Sequence, residues 1–257
     1  MKVSFVIPAY NEEQLIGKCL GSIEREIERS GYEAEVIVAD NGSTDKTKEV
    51  AARFPHVRVV EEHWKGANRA RQAGFKASTG EYIASLDADV VVPPGWLTRA
   101  MHEFERNPKL VAVSGPFILY DLSPFHRFLA RSFYVVGYIV YVIVRFLFRR
   151  GSMIQGGNIL LRRDALEKIG GHNTDIEFYG DDTDTARRLS KVGNVKFTFK
   201  LPISTSGRRL KHEGIVRIGL RYALNYFWVV IFGKPYTRAY KDVRPADKGD
   251  RRELNPN

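Results

Sequence analysis

The sequence predicts an α/β fold, a doubly wound and mostly parallel sheet with helices on both faces. Three observations carry that expectation. Short apolar runs alternate three times with segments of helical periodicity in the N-terminal half. The loops that follow three of these runs are polar or acidic, as expected where a parallel sheet exposes the carboxyl ends of its strands. With 44% hydrophobic and 27% charged residues, a chain of 257 residues can bury a sizeable core, which excludes disordered and fibrous classes.

Residues 3–8 form a short apolar run closed by Pro8, as a buried strand would be. Over 12–29, Leu15, Ile16, Cys19, Leu20, Ile23 and Ile27 recur at helical spacing on one face. Residues 36–39 are a second buried run. The segment Asp40-Asn41-Gly42-Ser43-Thr44-Asp45 then offers turn chemistry, with Ser43 or Thr44 as N-cap for a helix over 45–54. A strand at 57–60, a helix over 67–77 and a strand at 82–86 complete the alternation. Right-handed crossovers between parallel strands follow from this order. Ligands of such sheets bind beyond the strands' carboxyl ends. The residues there are Pro8-Ala9-Tyr10-Asn11-Glu12, Asp40-Asn41-Gly42 and Asp87-Ala88-Asp89.

Charge and cysteine content narrow the chemistry. Lys and Arg number 40 against 30 Asp and Glu, leaving +10 and favouring anionic partners such as nucleotides, nucleic acid or acidic lipid heads. The single cysteine, Cys19, excludes an intrachain disulfide and a Cys-rich zinc module. The opening MKVSFVIPAYNEE has too short an apolar run for a signal peptide, so a cytosolic active face is expected. No Gly-x-Gly-x-x-Gly follows the first strand and no P-loop occurs, so a nucleotide diphosphate would need a metal or basic side chains. Asp87-x-Asp89 supplies hard oxygen donors suited to Mg²⁺ or Mn²⁺. The same spacing also serves an Asx-turn with a capping carboxylate, and Asp182-x-Asp184 repeats it. Asp87-x-Asp89 differs in following an apolar strand and preceding Pro93-Pro94.

In these motifs the chain resembles family 2 of the glycosyltransferases, inverting enzymes of the GT-A fold, over about residues 3–210. Val6-Ile7-Pro8-Ala9-Tyr10-Asn11-Glu12 looks like the opening motif, and Val38-Ala39-Asp40-Asn41-Gly42-Ser43-Thr44-Asp45 like the second, where the family usually has two acids. The stretches 66–74 and 80–89 resemble the approach to the family's Asp-x-Asp. Gly156-Gly157-Asn158, Arg162-Arg163 and Gly170-Gly171-His172 look like its acceptor-side segment. Gly180-Asp181-Asp182-Thr183-Asp184 stands where the family carries Glu-Asp and its base.

The resemblance implies a division of labour. Pro8, Ala9, Tyr10 and Glu12 would line the base and ribose pocket, Asp40 would bond the base, and Arg71 would sit near the diphosphate. Asp87 and the adjoining Ala88 would meet the ribose or metal region, with Asp89 ligating the divalent cation, Mn²⁺ or Mg²⁺. His212 would complete the metal site, or be a surface histidine. Asp182 would deprotonate an acceptor hydroxyl; Asp181 replaces the family's Glu, so either acid could be the base, and both also suit a helix N-terminus. Gly156, Gly157 and Asn158 would shape the acceptor pocket, and Arg208 and Arg209 would grip a diphosphate or lipid phosphate. The family's processive synthases carry Gln-x-x-Arg-Trp, which is absent, so single sugar addition is implied. Nucleotidyl transfer would instead need a Gly-rich basic loop after the first strand. A nucleic-acid module would be opposed by the acids at 87, 89, 181 and 182.

The remaining chain carries two amphipathic segments. Arg127, Arg131, Tyr134, Tyr138, Tyr141, Arg145 and Arg149 form one polar stripe on a helix that is otherwise apolar. Arg217, Arg221 and Asn225 do the same in a second segment. Too few apolar residues separate Arg131 from Arg145 for a span. The pattern suits an interfacial helix, with Arg and Tyr at the headgroups, or a helix that covers the sheet. The expected organisation is a GT-A domain over 1–212 with an apolar helical insertion at 124–150, an amphipathic helix at 213–233 and a basic flexible tail at 234–257. The expected partners are a nucleotide-sugar donor, a glycan or lipid-linked acceptor and the inner face of the cell membrane, with no nucleic acid.

Overall fold

The computed structural model describes residues 1–148, 153–176 and 179–237; Arg149 of the polar stripe and most of the expected tail, 238–257, lie outside them. Nine strands are described: β1 (Lys2–Ala9), β2 (Glu33–Asp40), β3 (Val57–Glu61), β4 (Tyr82–Leu86), β5 (Leu110–Ser114), β6 (Phe117–Leu119), β7 (Asn158–Arg162), β8 (Asn194–Phe197) and β9 (Ile203–Thr205). The main sheet runs in the order β3-β2-β1-β4-β7-β5-β8, and β6 pairs with β9 in a separate ribbon. β1 lies between β2 and β4, parallel to both. The chain therefore winds outward through β2 and β3, then returns to the other side of β1. That reversal is the switch point where open α/β sheets bind ligands.

The expected α/β class holds, with one reversed strand. β7 is antiparallel to both β4 and β5 and pairs Asn158 with Leu86. A reversed strand starts where its neighbours end, so the Gly156-Gly157 turn is delivered to the sheet edge that bears Asp87. Period-two alternation along β1 feeds both faces: Val3, Phe5 and Ile7 join one core cluster and Val6 the other.

The helices are α1 (Ile16–Ser30), α2 (Thr47–Ala52), α3 (Ala67–Ala77), α4 (Trp96–Arg106), α5 (Pro124–Phe148), α6 (Arg163–Lys168), α7 (Asp181–Leu189), α8 (Arg208–Glu213) and α9 (Ile215–Phe232). Two depart from the sequence reading for one reason: the loops before them bond to each other. α1 starts at Ile16 rather than 12, with the Glu12 amide donating to Thr47 Oγ1 at 2.8 Å. α2 is short and capped by neither Ser43 nor Thr44. Ser43 Oγ instead accepts from the Asn11 amide at 3.0 Å, and the Thr44 amide donates to Asn11 Oδ1 at 2.9 Å. Asn11 holds φ 51° to make this exchange, a conformation Asn tolerates better than most residues.

α5 corrects one expectation. The tyrosines of its stripe face the protein, not headgroups: Tyr134 stacks on Phe197 at 6.4 Å, Tyr138 meets Phe199 edge-on at 5.5 Å, and Tyr141 is buried. Its exposed residues include the apolar Phe128, Val136, Ile139 and Ile143, with Arg127 and Arg131 exposed toward its N-terminal end. α9 packs against α5, with Gly219 beside the Phe133 ring, and exposes Leu220, Leu224, Phe227 and Ile231. Among the described residues no helix is long and apolar enough to cross a membrane.

Candidate active site

Six acidic residues reach the carboxyl edge of the sheet from four separate parts of the chain. Glu12 follows β1, Asp40 ends β2, and Asp87 and Asp89 follow β4. Asp181 and Asp182 open α7 behind Gly180, whose φ of 85° makes the turn into the helix. Arg71 of α3 joins two of these groups. Its buried guanidinium donates to Asp87 Oδ1 at 3.0 Å and to Asp181 Oδ2 at 2.8 Å. Burial works against this charge, but Asp87, Asp181 and Asp182 outweigh it and hold Arg71 protonated. Arg71 thus braces Asp87 to the α7 acids.

Asp182 differs from Asp181 in its partners. Asp181 is the ion-pair partner of Arg71, whereas Asp182 accepts from the Gly156 backbone. Burial raises the affinity of Asp182 for a proton, and the neighbouring Asp181 charge raises it further. Burial raises the proton affinity of Asp181 as well, against the opposing charge of Arg71, so the two acids differ in their partners and not in the direction of their shift. His172 lies behind them in a small cavity that Arg71 and Asp182 also line. Burial, then the charges of Arg71 and Arg188, push its pKa down to about 3, so it is neutral in the folded protein.

Asp40 accepts from the amides of Gly42 and Ser43 at 3.1 Å through Oδ2, while its buried Oδ1 has no partner. Tyr10 lies under Lys65 Nζ, 3.6 Å from its ring centroid, and Lys65 also donates to the carbonyls of Asn41 and Gly42 at 3.1 and 3.0 Å. Pro8 is half-buried at the end of β1. Ala9 and Ala88, expected at the nucleotide pocket, pack their methyl groups into the core, and the turns that carry them bear Tyr10, Asp87 and Asp89.

Arg208 closes the other side. Its guanidinium donates two hydrogen bonds to the Glu12 carboxylate and stands 3.3 Å from Asp89 Oδ2. Asp89 Oδ1 accepts from Thr205 Oγ1 at 3.0 Å. Burial pushes the Asp89 pKa up to about 7 against the opposing charge of Arg208, with Asp87 and Glu12 adding to the rise. Arg208 therefore borders the donor-side acids, on the diphosphate side of the two roles that the resemblance implies for it.

Two further expectations, for Asn158 and Arg209, are corrected, and His212 takes the second of the two roles offered for it. Asn158 is fully buried with its amide spent: Oδ1 accepts from Trp96 Nε1 at 3.0 Å, and Nδ2 donates to the Leu201 carbonyl at 2.9 Å. It anchors the Gly156-Gly157 turn instead of facing an acceptor. Arg209 bonds Glu213 at 3.1 Å, and Glu213 bonds Arg221 of α9 at 2.7 Å, so Arg209 ties α8 to α9. His212 is exposed, and among the described residues no three His, Cys, Asp or Glu side chains are gathered for a metal. Arg208, one helical turn earlier, takes the place beside Asp89.

Gly156 and Gly157 stand where expected, at closest approach to the acids. A Cβ on Gly156 would overlap the Asp182 carboxylate, and one on Gly157 would overlap that of Asp87. The sequence reading missed Lys65, Thr205 and the cross-loop role of Asn11, none of which belongs to a spacing pattern.

A switch-point site with an Asp-x-Asp turn and a facing helix-borne acid pair defines a glycosyltransferase of GT-A fold. The family model for glycosyl transferase family 2 matches residues 4–170, and the chain belongs to that family. It is similar to the glycosyltransferase AglE of Haloferax volcanii, at 38% identity over 105 residues, 38% of this chain and 34% of that one. It is also similar to the dolichol-phosphate mannosyltransferase of Pyrococcus furiosus, at 26% identity over 207 residues, 77% of this chain and 56% of that one. The chain thus spans a third to just over half of these relatives. Among solved structures, the mannosyltransferase PcManGT of Pyrobaculum calidifontis, in complex with GDP-Man and Mn²⁺, shares the fold. It superposes with TM-score 0.68 at 24% identity, covering 91% of this chain and 65% of that one.

Proposed function

We propose that the chain is an inverting transferase that moves one sugar from a nucleotide-sugar, a UDP-sugar in the first instance, to an acceptor hydroxyl on a glycolipid or envelope glycan. The observation that carries this reading is the bracing of Asp87 and Asp181 by one buried arginine, which fixes the distance between donor side and base side. Glu12, Tyr10 and Pro8 would border the ribose and base, and the unpartnered Asp40 Oδ1 would accept a hydrogen bond from the base. Asp182, the acid of the α7 pair that is not held by Arg71, would take the proton of the attacking hydroxyl, and attack opposite the leaving group inverts the anomeric carbon. Arg208 can turn from Glu12 and Asp89 to the diphosphate oxygens.

The donor set fits a divalent cation, because Asp89 and Asp87 offer hard oxygens on one turn and such ions take one or two carboxylates plus phosphate oxygens. Mn²⁺ or Mg²⁺ held there would neutralise charge on the departing nucleoside diphosphate. We place the protein peripherally on the inner face of the cell membrane, supported by the exposed apolar rows of α5 and α9.

Calorimetric titration of UDP and GDP, with and without Mn²⁺, against wild type and Asp89→Ala tests the donor site. Metal-dependent binding of one nucleotide, weakened at least tenfold by the substitution, is expected; no binding of either nucleotide with Mn²⁺ present would overturn the reading. Similarity to a dolichol-phosphate mannosyltransferase favours a second acceptor, a polyprenyl phosphate. That acceptor is already ionised and needs no base. Asp182→Asn should therefore lower turnover by about a hundredfold or more with a hydroxyl acceptor, and leave it nearly normal with a polyprenyl phosphate.

A further inference from the structure

Tyr179 and Gly180 immediately precede the acid pair of α7, and α9 packs on both. Tyr179 is buried, and its hydroxyl accepts a hydrogen bond from Arg221 Nη1 at 2.9 Å. Its ring meets that of Tyr222 edge-on, with centroids 5.8 Å apart. Gly180 lies so close to α9 that a Cβ there would come within 2.6 Å of Val229 Cγ2. Arg221, Asn225 and Val229 recur every four residues and so share one face of α9, on which Asn225 and Val229 are buried. That face is committed at two points to the turn that presents Asp181 and Asp182.

Arg221 is itself held in place. Its Nη1 also donates to Glu213 Oε2 at 2.7 Å, while Glu213 Oε1 takes Arg209 at 3.1 Å. A carboxylate shared between two arginines removes the rotamer freedom that an arginine otherwise carries. Asn225 fixes the next turn of the helix, donating to the Arg221 carbonyl at 2.8 Å and to Thr237 Oγ1 at 3.0 Å. A general base acts only within hydrogen-bond reach of the proton it takes, and a misplacement of about 1 Å can cost about a hundredfold in rate. Asp182 meets this demand from behind Gly180, a joint with φ 85° and no side chain of its own. The last side chain before that joint is Tyr179, so whatever fixes the Tyr179 hydroxyl fixes the joint.

We propose that Arg221 and Tyr179 are positioning residues for sugar transfer: Arg221, oriented by Glu213, holds the Tyr179 hydroxyl and thereby sets the reach of Asp182 toward the attacking hydroxyl. The assignment rests on the reading of Asp182 as the base. The bonds that define this clamp join Tyr179, Arg221 and Glu213 and include no donor-side acid, so donor affinity should not depend on it.

The test is nucleotide release from UDP-glucose and from GDP-mannose with Mn²⁺, with water standing in for the acceptor hydroxyl. Water attacks the anomeric carbon, its proton passes to Asp182, and the bond from sugar to diphosphate breaks. The full chain is compared as wild type, Tyr179→Phe, Arg221→Met, Asp182→Asn, and Asp182→Asn combined with Tyr179→Phe. Each clamp variant should lower kcat about tenfold or more at an unchanged KM for the donor. In the Asp182→Asn background Tyr179→Phe should cost nothing further, because no base remains to be misplaced. Wild-type kcat in Tyr179→Phe, the variant that loses only a hydroxyl, would overturn the proposal. So would a KM that rises with the fall in kcat, or a further loss in the Asp182→Asn background, either of which reports a contact that merely stabilises the fold. Undiminished release by Asp182→Asn, or no release by wild type from either donor, would instead sink the reading of Asp182 as the base, and the clamp with it.

Discussion

At the residue scale the two acids that open α7 differ in their partners. Asp181 pairs with Arg71, while Asp182, buried beside it without that pairing, holds its proton more tightly than an ordinary carboxylate. A base must be ionised to act, so raising its pKa moves the acid limb of kcat/KM above the usual carboxylate range. Asp181→Asn removes one raising charge and frees Arg71, and the limb should then shift to lower pH. A pH–rate profile of that variant with a hydroxyl acceptor checks this; an unmoved limb would mean that Asp181 does not tune the base. His172 makes a separate prediction about stability. Its pKa is depressed on folding, so its contribution is present above the unfolded value near 6.5 and lost as pH falls toward about 3. Urea midpoints measured across that window should fall for wild type, and fall less for His172→Phe, which carries no proton in either state. The acids themselves were legible because their spacing and their place after apolar strands are local. Their contrast was not, since it depends on Arg71 and Gly156, residues remote in sequence.

At the element scale, strand direction and helix placement decide which side chains meet. β7 runs against its neighbours, and so carries the Gly156-Gly157 turn to Asp87 and Asp182. Gly157→Ala would push its methyl into the Asp87 carboxylate; metal-dependent nucleotide affinity should drop about tenfold or more for a displaced ligand, with the fold retained. Calorimetry with circular dichroism as a fold control reads both. α8 supplies Arg208, which reaches Glu12 across 196 residues of sequence. Arg208→Ala leaves Glu12 and Asp89 without that cation. Mn²⁺ alone should bind more tightly than to wild type, while sugar transfer should slow by about tenfold or more for loss of a charge-assisted contact to the diphosphate. Tighter binding with unchanged transfer would restrict Arg208 to holding the resting site together. The β–α alternation and the switch point followed from periodicity in the chain. The antiparallel β7, the loop exchange through Asn11 and the arginine facing Asp89 did not, because tertiary hydrogen bonds between segments leave no period to read. The same limit explains Asn158, which a motif places near an acceptor and which three buried partners turn into an anchor.

At the scale of the whole molecule, polar residues on a helix do not announce their direction. The tyrosine stripe of α5 could be read as the solvent side, yet its rings fill the space against Phe197 and Phe199 while the aliphatic residues turn out. Tyr combines a large apolar ring with one polar tip, so it can pack inward wherever the tip is accommodated. α9 repeats the outcome, with Asn225 buried and Leu220, Leu224, Phe227 and Ile231 exposed at helical spacing. Two paired helices with apolar outer faces expose more contiguous apolar surface than scattered single residues would, and such patches mark interaction surfaces. Charge on these faces should oppose insertion without touching the sheet edge. The double variant Val136→Glu, Ile231→Glu is therefore expected to retain its melting temperature within a few degrees and its nucleotide affinity, while binding neutral vesicles at least tenfold more weakly than wild type. Equal loss of nucleotide affinity would show that the rows belong to the fold of the donor site. Equal vesicle binding would show that they do not enter the bilayer.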